Sequence, residues 1–116
     1  MERNLEQRTK QFALDIIKLV ATLPRSRDAD ILGRQLLRSA TSIGANYREA
    51  NRAVSRADFA NKVGTVQKEA AETQYWIELL IESGISDGAP AKNSHNESSE
   101  LLAIFTATGR KLKSEG

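Results

Sequence analysis

The sequence predicts an all-α chain folded as an up-down-up-down four-helix bundle, one domain over residues 1–116 with helices near 5–23, 29–53, 56–83 and 96–112. Three observations point there. Apolar residues recur at spacings of three and four along most of the chain. Only two prolines and seven glycines interrupt them. No Asn-Gly or Asp-Gly pair separates alternating runs, as hairpins would require.

In the first helix, Leu5, Phe12, Ile16, Leu19 and Leu23 form the stripe, and Pro24 forces an end near Leu23. The second opens at Asp28 to Asp30, acids suited to a helix N-terminus, and carries Leu32, Leu36, Ala40, Ile43, Tyr47, Ala50 and Val54 on one side. Ser55 followed by Asp58 reads as a cap opening the third helix, whose Phe59, Val63, Val66, Ala70, Thr73, Ile77 and Leu80 advance like a heptad to a stop at Gly84. No Gly or Pro marks the 53–56 junction, so one continuous helix is an alternative, although a tight turn is favoured. The stretch GISDGAPAKNS reads as a loop, and Ser94 with Glu97 as the cap of a shorter fourth helix with Leu101, Ile104, Phe105, Thr108 and Leu112.

Composition narrows the chemistry. The absence of Cys removes disulfides, thiolate metal sites and cysteine nucleophiles, and suits a cytoplasmic protein. No apolar run approaches the roughly 18 residues of a membrane span, so no membrane partner is expected. His95, the one histidine, falls in the presumed loop and is read as solvated. A di-iron bundle needs two Glu-x-x-His motifs and this chain has none, so no metal and no cofactor are expected. Glu69, Glu72, Glu78 and Glu82 avoid the apolar stripe and read as a solvated face. Ser42-Ile43-Gly44-Ala45 lies within a helical pattern without a phosphate-loop arrangement; Gly44 either permits close helix approach or has no special role. No catalytic constellation emerges, and the expectation is a protein that is not an enzyme.

The informative pattern is a row of arginines. At about 100° per residue, Arg34, Arg38, Arg48, Arg52 and Arg56 share an arc of about 80° opposite the second helix's apolar side. Such a row is costly unless carboxylates of a neighbouring helix or an anionic partner approach it. Residues 1–56 hold 11 Lys+Arg against 6 Asp+Glu, and residues 57–116 hold 6 against 9. The five arginines are therefore candidate phosphate contacts for RNA or another nucleic acid, or, in the alternative reading, a surface for a second subunit or a protein partner. No aromatic residue interleaves them, so recognition by charge rather than base stacking is expected. Leu14 and Ile17 on the first helix, and Tyr75 and Leu79 on the third, lie off the main stripes and are candidate contacts of a homo-oligomer.

The segment from Gln35 to Gly84, with Arg-Ser-Ala-x-Ser-Ile-x-Ala-Asn at Arg38 to Asn46, then Glu49, Arg52 to Arg56 and Asp58-Phe59, resembles the bacterial four-helix proteins named after the intervening sequences of the 23S ribosomal RNA gene. The resemblance extends back through Phe12 and Leu23-Pro24 and covers the fourth helix only loosely. It implies an up-down bundle, frequently a pentameric ring, without known catalytic activity. The related accessory proteins of diversity-generating retroelements use a similar basic pentamer to bind nucleic acid and a reverse-transcriptase partner. By position the resemblance points to Arg38, Arg48, Arg52 and Arg56 for RNA contacts. Ala50 and Tyr47 depart from the family pattern, where glycine and an aliphatic residue are common.

Overall fold

The computed structural model describes residues 4–115 as four helices: α1 (Leu5–Ala21), α2 (Arg27–Ala50), α3 (Arg56–Glu82) and α4 (Ala89–Glu115). They pack in cyclic order, α1 against α2, α2 against α3, α3 against α4 and α4 back against α1, so that α1 and α3 lie diagonally across a rod of 46 × 22 × 20 Å.

Each helix buries the centre of the stripe read from its periodicity, while Leu23, Leu32, Phe59, Ile104, Thr108 and Leu112 are only half-buried. Phe12, Ile16, Leu36, Ala40, Ile43, Val66, Ala70, Ile77, Leu80, Leu101 and Phe105 are buried, and the Phe105 ring tilts against Tyr47 with centroids 5.2 Å apart. Val54, expected on the α2 stripe, is instead 93% exposed, because α2 ends four residues before it. Hydroxyls inside this core are satisfied locally, the Thr73 hydroxyl lying 2.8 Å from that of Ser39 and joining α2 to α3, whereas the buried Trp76 Nε1 has no partner among the described residues. Gly44 lets α1 and α2 approach closely, since a Cβ there would stand 3.2 Å from Thr9 Oγ1.

The ends follow from capping chemistry. Ser26 accepts from the Ala29 amide at 3.2 Å and Ser55 from the Asp58 amide at 3.0 Å, while Asp58 returns the favour by accepting from the Val54 amide at 3.3 Å. These bonds make the 51–55 junction a tight turn, which decides against one continuous helix. Gly84, with φ of +80°, reverses the chain after α3 and lets the Ser86 amide reach the Leu80 carbonyl at 2.9 Å.

Helix α4 corrects the sequence reading. It starts at Ala89, not near residue 96, because Pro90 sits in the first turn, where an amide hydrogen has no intrahelical acceptor to lose. Ala91, Ser94 and Ser98 extend the buried stripe upstream of Leu101. Ser94 is therefore a small core-facing residue rather than a cap, and Glu97 serves another purpose. It accepts two hydrogen bonds from Arg8, at 2.7 Å from Nε and 2.7 Å from a terminal nitrogen, closing the sparsely packed seam between α1 and α4.

Two stability measurements check this packing. Phe105→Ala should cost about 3–5 kcal/mol in urea unfolding, whereas Leu14→Ala, at an exposed position, should change the isolated bundle by less than about 0.5 kcal/mol. A double-mutant cycle on Arg8 and Glu97 should return a coupling near 1 kcal/mol, the upper part of the range for partly exposed pairs.

Candidate nucleic-acid interface

The outward face of α2 follows from its inward one. With Leu36, Ala40, Ile43 and Tyr47 buried, the 3.6-residue repeat turns Arg34, Arg38 and Arg48 to solvent on the opposite side. Arg52 and Arg56 do not continue that line as helical residues of α2. Arg52 lies in the turn and Arg56 is the first residue of α3. The projected row of five is thus three side chains along the rod and two at its end.

Carboxylates of the same chain reach four of the five. Arg34 pairs with Asp30 one turn away at 2.9 Å and remains 79% exposed. Arg38 bridges to α3, 2.8 Å from Glu72 and 3.3 Å from Glu69. Its guanidinium is raised above the ordinary value, first by the hydrogen bond to Glu72 and then by the charge of Glu69, with burial opposing. Arg48 lies 3.6 Å from Glu6 of α1, and Arg56 lies 3.1 Å from Glu115 of α4. Arg52 bonds only the carbonyl of Arg48, at 3.3 Å, and has no carboxylate partner among the described residues. The repulsion expected of such a row is relieved by different neighbours, and its members point toward different helices.

A stronger concentration of charge lies at the end of the rod where α2 meets α3 and α4 terminates. Arg56 ties these segments together, its guanidinium also donating to the Leu112 carbonyl at 3.3 Å. Residues 45–62 and 106–115 carry seven Lys+Arg and three Asp+Glu, an excess of four where the whole chain has an excess of two. Arg110, Lys111 and Lys113 are exposed and, like Arg52, have no carboxylate partner among the described residues. The sequence reading missed these three. Their signal is the run Gly109-Arg110-Lys111-Leu112-Lys113, which looks like basic residues completing a helix C-terminus. Only the fold brings them to the end of the rod that carries Arg52, with Arg56 bonded to the same stretch of α4.

Aromatic side chains are scarce at this basic end: Tyr47 is buried, and Phe59, in the first turn of α3, is half-buried. The arrangement therefore offers charge first, with no exposed aromatic among the arginines and lysines for bases to stack on.

Two other groups of residues were singled out from the sequence. Leu14, Ile17 and Tyr75 are 43%, 47% and 51% exposed, Tyr75 meeting Trp76 edge to face at 5.1 Å. Leu79 is half-buried, and Ile31, not anticipated, is 52% exposed. Because α1 and α3 are diagonal, Leu14 and Ile17 occupy a different side of the rod from Tyr75. His95, expected in a loop, sits on α4 and pairs with Glu78 of α3 at 2.9 Å. Ser98 and Ser99 donate to the His95 backbone carbonyl rather than to its ring, so the imidazole acts as a helix-to-helix clasp. Among the described residues no three His, Cys, Asp or Glu come together as metal ligands, and no helix is long and apolar enough to cross a membrane.

Comparison with known proteins accords with this architecture. The family model described as "23S rRNA-intervening sequence protein" matches residues 2–107. A crystal structure of a Bacteroides thetaiotaomicron protein of unknown function, from the S23 ribosomal protein family, is 38% identical and superposes with a TM-score of 0.82, over 90% of this chain and 96% of that one. No curated protein matches. The sequence match spans α1 to α3 and most of α4, and the superposed bundle agrees with it: the chain belongs to the 23S rRNA-intervening sequence protein family.

Proposed function

We propose that this chain is a non-enzymatic, cytoplasmic, homo-oligomeric bundle that binds RNA or another structured nucleic acid through the basic end of the rod. One observation carries the reading: Arg52 in the turn and Arg110, Lys111 and Lys113 on the last turns of α4 lie at the same end of the rod without carboxylate partners among the described residues. Cations without internal partners are the ones free to displace the counterions of a phosphate backbone. Arg48 and Arg56 flank them in exposed ion pairs worth about 0–1 kcal/mol, weak enough to be exchanged for phosphate. Arg34 and Arg38 stand further along the rod, and Arg38 is engaged twice by α3, so their part in binding is minor.

A second component, self-assembly, rests on the apolar side chains left exposed on two diagonal helices. A patch at Leu14 and Ile17 and a different patch at Tyr75 and Leu79 are not self-complementary about a two-fold axis. They suit a head-to-tail contact, which closes into a ring when the rotation between subunits allows, a pentamer in the resemblance described above. The same faces would serve an adaptor that holds a protein partner, and in that alternative the arginines are part of a protein interface.

Fluorescence anisotropy with a labelled RNA should give log K falling with log salt at a slope near −3 to −4, as for about four phosphate contacts. Replacing Arg52, Lys111 and Lys113 by Gln should flatten that slope by about 2–3, while Arg34→Gln with Arg38→Gln should change it by less than about one. A wild-type protein that binds no RNA at low salt would sink the reading. Light scattering tests the assembly: Leu14→Ser with Ile17→Ser should yield monomers with unchanged helicity, and persistence of the wild-type mass would overturn the proposed contact.

A further inference from the structure

Beside the basic end, α1 and α2 leave an open groove of about 510 Å³, within the roughly 300–1,000 Å³ typical of small-ligand sites. Cations reach it from three helices and the turn: Lys10 from α1, Arg48 from α2, Arg52 from the turn and Lys62 from α3. Its floor is low because Gly44 and Ala45 have almost no side chain, and Thr9 closes it from below. The Thr41 hydroxyl on its wall already donates to the Leu37 carbonyl at 2.8 Å, so an anion here would be held by charge. Two carboxylates also line it. Glu6 is engaged by Asn51 at 2.8 Å and by Arg48, but Glu49 has no hydrogen-bond or ion-pair partner for its side chain among the described residues.

That last carboxylate discriminates between ligands. A cradle for a bare polyanion gains nothing from an exposed acid on its rim, whereas a nucleotide brings a hydroxyl donor together with its phosphate. A carboxylate is an acceptor only, and the 2′-hydroxyl is the donor that separates RNA from DNA. We propose that the groove seats one ribonucleotide of a bound strand, its phosphate among Lys10, Arg48, Arg52 and Lys62, its sugar over Gly44 and Ala45, and its 2′-hydroxyl donating to Glu49. This rests on the polyanion reading of the basic end and adds a ribose-specific site to it.

The experiment compares a labelled oligouridylate with the oligodeoxyuridylate of equal length, which differ only at the 2′ position. Ala45→Phe fills the groove from an exposed position without altering charge. It should weaken oligouridylate binding about tenfold and flatten the salt slope by about one, for the single phosphate held in the groove. Glu49→Ala should weaken oligouridylate binding at least threefold and leave oligodeoxyuridylate binding unchanged or tighter. If Glu49 only repels phosphate, its removal tightens both probes equally, and that result overturns the proposal. So does wild-type affinity in Ala45→Phe, even if the Arg52, Lys111 and Lys113 variant loses binding and the basic end survives as the interface. Should Ala45→Phe fail to fold by circular dichroism, the Glu49→Ala comparison decides alone. If wild-type protein binds neither oligomer, the basic-end reading fails, and the groove is judged by titrating uridine monophosphate against amide NMR signals. Shifts confined to Ala45, Glu49 and Arg52 support a free-nucleotide site, and no shift overturns it.

Discussion

Burial of the α2 stripe between α1 and α3 is the constraint on which the other features depend. Leu36, Ala40, Ile43 and Tyr47 are held on both flanks, by the close approach of Thr9 to Gly44 on one side and by the hydroxyl contact of Thr73 with Ser39 on the other. A helix fixed so tightly about its axis has no freedom to rotate its polar face inward. The outward display of Arg34, Arg38 and Arg48 is a by-product of core packing, and their ion pairs settle where α1 and α3 bring carboxylates within reach.

Charge is consequently sorted along the rod rather than around it. An antiparallel bundle puts the C-terminal ends of α2 and α4 at the same end of the rod, and basic residues are favoured at both by the helix dipole. Arg48 on α2 and Lys113 on α4 obey that local rule independently. Topology adds the two contributions at one end, beside the turn that carries Arg52. A local electrostatic preference of a few tenths of a kcal/mol per residue thereby becomes a net positive charge at one end of the rod. The acids needed to balance it, Glu69 and Glu72 among them, are spent further along the rod on Arg38.

Much of the fold was legible because periodicity, caps and breakers are local. The stripes of α1 to α3 are set by 3.6-residue geometry, and Ser55 with Asp58 marked the start of α3. The start of α4 was misread since Pro, Asn and Ser usually punctuate, yet a proline in the first turn costs nothing and buried serines substitute for alanine where helices approach closely. His95 was misplaced with it, and its clasp on Glu78 joins residues 17 positions apart across two helices.

The sequence by itself determined most of the inward-facing residues of α1 to α3, since that depends on spacing, and with them the outward display of Arg34, Arg38 and Arg48. Tertiary structure alone decided which of those arginines keep a free charge. Coulombic pairing depends on distances between residues far apart in the chain, such as Arg48 with Glu6 and Arg56 with Glu115. The same distances assembled Arg52, Arg110, Lys111 and Lys113 at one end and lined the groove beside it from three helices and the turn, because packing fixes separations that a linear order of side chains does not contain.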